Sequence, residues 1–169
     1  DGVSLQNGTA AFGGGLYNFG GSVTLANLTV SSNVATGFNN SSGGGILNDQ
    51  GTLTLDNVVV SDNTAALDGG GLYSIFGTVA STGSTISGNS ATLNGGGFAI
   101  VQSTANIDST IVQSNTSVLD GAGVAIASNS NVVITGSTID GNTSSRYGGG
   151  LHVNSSTVSV TDTTVKNNI

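Results

Sequence analysis

The chain has 169 residues, with 28 glycines, no proline, cysteine, methionine or tryptophan, and nine aspartates against two cations for a net charge of −7. Those cations, Arg146 and Lys166, are too few to neutralise a row of phosphates, which excludes a nucleic-acid surface and disfavours an anionic membrane. Without cysteine there are no disulfides or thiolate metal sites, and without a run of about 18 apolar residues no helix is expected to cross a bilayer. Low charge together with regularly placed Val, Ile, Leu and Thr favours an ordered chain.

The predicted elements recur along the chain. Asn7 opens a column of asparagines, and Gly13-Gly14-Gly15-Leu16 supplies the first glycine triplet, ahead of an apolar residue. Three short strands are expected in this first turn: one after the triplet, one at Val23-Thr24-Leu25 and one at Leu28-Thr29-Val30, ending on Asn33. Thr36 to Ser42, rich in Gly, Asn and Ser, carries four extra residues and reads as a loop. The triplet then returns at Gly43, Gly69, Gly95, Gly121 (with Ala122 in second place) and Gly148, and the asparagine at Asn63, Asn89, Asn115, Asn142 and Asn168. One further extra residue lies between Ala127 and Asn131.

Columns rather than motifs identify the fold. The third residue before each marker asparagine is Val30, Val60, Ile86, Val112, Ile139 or Val165, and the tenth is Val23, Leu53, Val79, Ala105, Val132 or Val158. The eighth is Leu25, Leu55, Ser81, Ile107, Ile134 or Val160, with mostly Thr, Ser, Asp and Asn between these columns. A repeat of about 26 residues that cannot bury its own apolar face is the signature of a solenoid. The expected architecture is all-β: a right-handed single-stranded parallel β-helix with three short strands per rung, residues 1–169 forming one domain of just over six rungs. Stacked asparagines can form a ladder of amides, and their tolerance of the left-handed region suits them to corners. The absence of proline fits, since proline removes a ladder donor.

The pattern GGGLYN…TLTLDNVVVSDNTA…GGGLY resembles the right-handed parallel β-helix repeats of large bacterial surface proteins. It is similar to the paired GGA(I/L) and FxxN motifs of polymorphic outer-membrane proteins and autotransporter passengers. The glycine motif matches closely; Val30 to Asn33 and Ile86 to Asn89 stand loosely for the second. The resemblance implies a secreted or surface-attached protein, several such proteins being adhesins. Fold alone does not decide function, because polysaccharide-degrading enzymes and ice-binding proteins also use β-helices.

Chemistry is sparse. The column before the glycines runs Phe12, Ser42, Asp68, Asn94, Asp120, Tyr147, so Asp68 and Asp120 lie two rungs apart, about 9–10 Å, and could hold calcium only loosely. No second acidic column completes a glycosidase pair. His152 is the lone histidine, and Arg146 is expected in a corner loop without an acidic column beside it. No catalytic residue, metal ligand or cofactor is therefore assigned.

Tyr17, Leu47 and Tyr73 are expected to point outward on adjacent rungs, with Phe19, Ile75 and Phe76 nearby. Tyr17, Phe19, Leu47, Tyr73 and Phe76 form the candidate contact surface, for sugar stacking or lateral packing, unless the Thr36 to Ser42 loop covers it. Another outward column, Thr29, Val59, Thr85, Ile111, Thr138, Thr164, raises ice binding but is irregular. No amphipathic helix, charged terminal rung or proline caps either end, so part of a longer solenoid or head-to-tail self-association is expected. The functional expectation is an extracellular structural or adhesive solenoid without enzymatic activity, contacting itself, surface polysaccharide or a host receptor. The alternatives are a polysaccharide-binding or polysaccharide-degrading β-helix, and an ice-binding protein.

Overall fold

A computed structural model describes residues 2–37 and 41–169 as a parallel β-solenoid of short strands, with no helix among them. Each rung carries four strands, one more than expected. In the third rung they are Leu72–Ile75, Thr78–Thr82, Thr85–Ser87 and Ser90–Ala91. Equivalent strands stack in sequence order into four parallel sheets, named here first to fourth in that order; the third has seven strands and the others six. The strand missing from the sequence reading is the two-residue one just after the marker asparagine, too short to show any alternation.

The register matches the columns. Val23, Leu53, Val79, Ala105, Val132 and Val158 pair in turn along the second sheet, as do Leu25, Leu55, Ser81, Ile107, Ile134 and Val160. Val30 through Val165 do so along the third. Leu53, Leu55, Val60, Ile86, Ile107, Ile134 and Ile139 are wholly buried, so the inward columns fuse into one thin core. In the last rung the same columns open to solvent, Val160 at 43% and Val165 at 50% exposure, because no rung lies over them.

Asn7 is displaced by one place from its expected column. Gln6 pairs with Ser31, which sets Asn7 beside Ser32 and puts Gly8 opposite Asn33. Gly8 has no amide side chain, but its N–H donates to Asn33 Oδ1 at 2.8 Å.

The marker asparagines are also not the left-handed residues. Positive φ falls on the residue before each of them, Ser32, Asp62, Gly88, Ser114, Gly141 and Asn167. The asparagines are conventional in backbone, and from Asn33 to Asn142 their side chains are buried inward. Asn89 shows the pattern. Its Nδ2 donates to Asn115 Oδ1 (3.0 Å) on the next rung and to the Val60 carbonyl (2.9 Å) on the previous one. Its Oδ1 accepts from Asn63 N–H (3.0 Å) and Nδ2 (2.9 Å). One amide thus ties three rungs together with no donor or acceptor left over.

Serine and threonine do the same at two other corners. Ser84 Oγ accepts from Val58 N–H at 3.1 Å, and Ser137 Oγ from Thr110 N–H at 3.1 Å. Between the first and second sheets, Ser130 Oγ accepts from Ser103 N–H at 3.2 Å. The glycine corner needs glycine for a steric reason. At Gly69 (φ +66) and Gly95 (φ +65) a Cβ would lie 2.6 and 2.3 Å from the carbonyl oxygen three residues on. Left-handed Gly83 and Gly141 have nothing within 4 Å, and their columns accept Asn, Ser and Asp elsewhere. The second sequence insertion falls between strands and gives consecutive positive-φ residues Ser128 and Asn129.

Candidate functional site

In the first sheet, residues in the second position point away from the core. The column is Tyr17, Leu47, Tyr73, Ala99, Ala125, His152, as expected from the sequence. It is not an open convex stripe. Tyr17 is 47% exposed, but Leu47, Ala99 and Ala125 are 6%, 1% and 6% exposed. The column is the floor of a groove. One wall is the polar column ahead of the glycines, and the other is the strand end and turn carrying Asp49, Gln50, Ile75 and Phe76.

The deeper part of this groove has a volume of about 360 Å³ and is lined by Phe12, Tyr17, Leu47, Asp49, Asp68, Tyr73 and Phe76, among others. A hollow of about 110 Å³ continues it along the coil past Asp68, Asn94, Ala99, Asp120 and His152. Four of the five expected contact residues line the deeper part. Phe19, 63% exposed, does not line it, but its ring lies 6.3 Å from that of Tyr17, which is 6.3 Å from Phe12. Leu47 is corrected from exposed contact to buried floor, since flanking columns rise on both sides. Phe38 to Asn40, in the loop that was the alternative to an open contact surface, lie outside the described residues.

Phe76 stands out among the aromatics. It has φ +54 in a turn column where other rungs place Gly20, Gln50, Gln102, Ser128 and Ser155. A bulky side chain in this region is strained. The ring nonetheless remains 54% exposed.

The groove is acidic. Asp68 Oδ1 accepts from the N–H (3.0 Å) and Nδ2 (2.9 Å) of Asn94, yet burial outweighs these bonds and pushes its carboxyl above the ordinary value. Burial, then the charges of Asp68 and Asp49, push Tyr73 up to about 12. Tyr17 is raised by burial and by Asp49, whose Oδ2 accepts from the Tyr17 hydroxyl at 3.4 Å. The Asn94 Oδ1 is buried and has no partner among the described residues.

Arg146 does have an acidic partner, contrary to expectation. Its Nε and Nη2 reach the two carboxylate oxygens of Asp120 at 2.8 and 2.5 Å. The hydrogen bond from this guanidinium holds the Asp120 carboxyl below the usual range. The guanidinium carbon lies 5.1 Å from the Tyr147 ring centroid, and Tyr147 stacks on His152 at 6.1 Å. His152 Nδ1 is 3.9 Å from Asp120 Oδ2. Asp120, the upper member of the loose calcium pair, is thus already neutralised. Among the described residues no three His, Asp, Glu or Cys side chains converge as metal ligands.

Sequence reasoning missed Asp49 and Phe12 as groove residues. Asp49 was accessible to it, because it lies two places beyond Leu47 on one strand and so faces the same side. Phe12 heads the column that includes Asp68, but only the structure shows that column rising as a wall. Comparison with family models, curated proteins and solved structures found no match for the chain.

Proposed function

We propose that this chain is an extracellular structural and adhesive solenoid, without catalytic activity, whose contact surface is the first-sheet groove and whose ligand is a surface polysaccharide. The observation that carries the reading is an aromatic-lined groove along a rigid coil, with Phe76 held in a strained backbone conformation and still 54% exposed. Sugar rings present apolar C–H faces to aromatics and hydroxyls to carboxylates and amides, and Tyr17, Tyr73, Asp49 and Gln50 offer both kinds of partner. Rigid β-ladders fix the backbone that carries these residues before any ligand arrives, which lowers the entropic cost of binding.

The non-catalytic part of the reading is supported by the carboxylates. Asp120 is held by Arg146, and Asp68 is engaged by Asn94. Among the described residues lining the cleft beside His152 there is no serine for it to activate. The extracellular setting is supported by the resemblance of the repeats to surface proteins. Binding of the purified chain to immobilised polysaccharides, with reducing ends measured in parallel, tests the reading. Retention without release of reducing ends is expected; release that disappears in Asp68→Asn would replace it with the enzymatic alternative.

A further inference from the structure

We propose that the first-sheet groove selects a cationic glycan, taking an amino-sugar ring against Tyr17, Tyr73 and Phe76 with its ammonium group between the carboxylates of Asp49 and Asp68. This deepens the polysaccharide reading and rests on it.

Charge complementarity decides the class. Among the described residues, the only formally charged side chains lining the deeper groove are Asp49 and Asp68, both acidic. The chain's two cations are engaged elsewhere, Arg146 with Asp120 and Lys166 with Asp140 at 3.6 Å. A uronate polymer would set its carboxylates against these two and be repelled. A neutral glycan would further desolvate Asp68 and leave its charge without a counter-ion, an unfavourable outcome for a buried carboxylate. An ammonium group reverses both effects, and the aromatic faces attract it as well. Asp68 and Asp49 both raise Tyr73, so the two carboxylates act on the same part of the groove floor.

Shape selects a ring rather than a bare ion. A groove of about 360 Å³ falls in the range of small-ligand sites and is open along the coil, so a polymer can pass through it. Phe76 sits on the rim beside Gln50, in the same turn column one rung away. Its ring is available to cover a ligand lying on Tyr73.

Titration of the protein with three hexasaccharides tests the proposal: glucosamine, N-acetylglucosamine and galacturonate oligomers. Binding of the glucosamine oligomer alone is expected, weakening with added salt. Asp68→Asn and Phe76→Gly should each weaken it about tenfold, the scale of one desolvated cation–π or charge contact. Phe76→Gly relieves the positive φ, so its melting temperature should equal or exceed that of the parent; lost binding then cannot be ascribed to unfolding. Equal binding of the acetylated oligomer would overturn the cationic preference while leaving the glycan reading in place. Binding of the galacturonate oligomer would overturn the charge argument outright. Binding of none would overturn both.

Discussion

At the scale of single residues, the ladder asparagines contribute through their side chains rather than their backbone conformation. Asn89→Ala leaves Asn63 N–H and one Nδ2 hydrogen of Asn63 without their partners inside the core and removes a donor from the Val60 carbonyl. At about 1–3 kcal/mol for each buried group left unsatisfied, a loss on the order of 3–5 kcal/mol is expected after partial relaxation. Chemical denaturation measures it, and a loss below about 1 kcal/mol would show that water replaces the amide. Two aspartates make opposite contributions to the pH dependence. Asp120 has a lowered folded pKa, so its stabilisation is complete above the unfolded value of about 3.9 and is lost as pH falls through the folded one. Asp68 has a raised folded pKa, so its ionisation disfavours folding above that value, and the penalty disappears as pH falls through the unfolded one. Asp68→Asn should therefore raise the melting temperature at pH 7 and leave it nearly unchanged near pH 3. Arg146→Ala should lower it at pH 7 and lose its effect in strong acid. Thermal melts across this range check both signs.

At the scale of the element, turns rather than strands separate one column type from another. Strands of two to five residues are held by neighbours above and below, so their own sequence needs only alternation. Each corner has a left-handed residue, but only at the glycine corner would a Cβ on that left-handed residue come within 3 Å of backbone. Gly95→Ala combines an unfavourable φ with a 2.3 Å approach to the Phe98 carbonyl and should cost on the order of 2–4 kcal/mol. Gly83→Ala meets open space and should cost only about 1 kcal/mol, from the left-handed backbone alone. Equal losses in denaturation experiments would contradict the steric account. This contrast marks how far the sequence could be read. The invariance of the first glycine is visible as a column, while its cause lies in a backbone contact no column displays. Likewise the asparagine column was legible, but its one-place offset from the left-handed residue was not, since Asn, Ser, Asp and Gly all serve there.

At the scale of the whole molecule, a solenoid couples each rung mainly to its neighbours, so surface features change from rung to rung without disturbing the core. The outward column of the first sheet changes from Tyr17 through Leu47 and Tyr73 to Ala99 and His152 over one unbroken ladder. That freedom allows one stretch of the coil to carry an aromatic, acidic groove. The aromatic members of the groove were legible because period-two alternation puts them on one face. Its concavity was not, because depth depends on the relative heights of three neighbouring columns. Nor was the Arg146–Asp120 pair, which joins one rung to a residue one place out of register on the next.

In the proposed binding mode the first-sheet groove, and no other face, meets the ligand. Backbone amide shifts of the isotope-labelled chain, followed during titration with the glucosamine hexasaccharide, test it most directly. Changes are expected to concentrate at Leu16–Phe19, Ile46–Asp49 and Leu72–Ile75 and the turns that follow them. Changes centred instead on the threonine-bearing third sheet, at Thr85, Ile111 and Thr138, would contradict it.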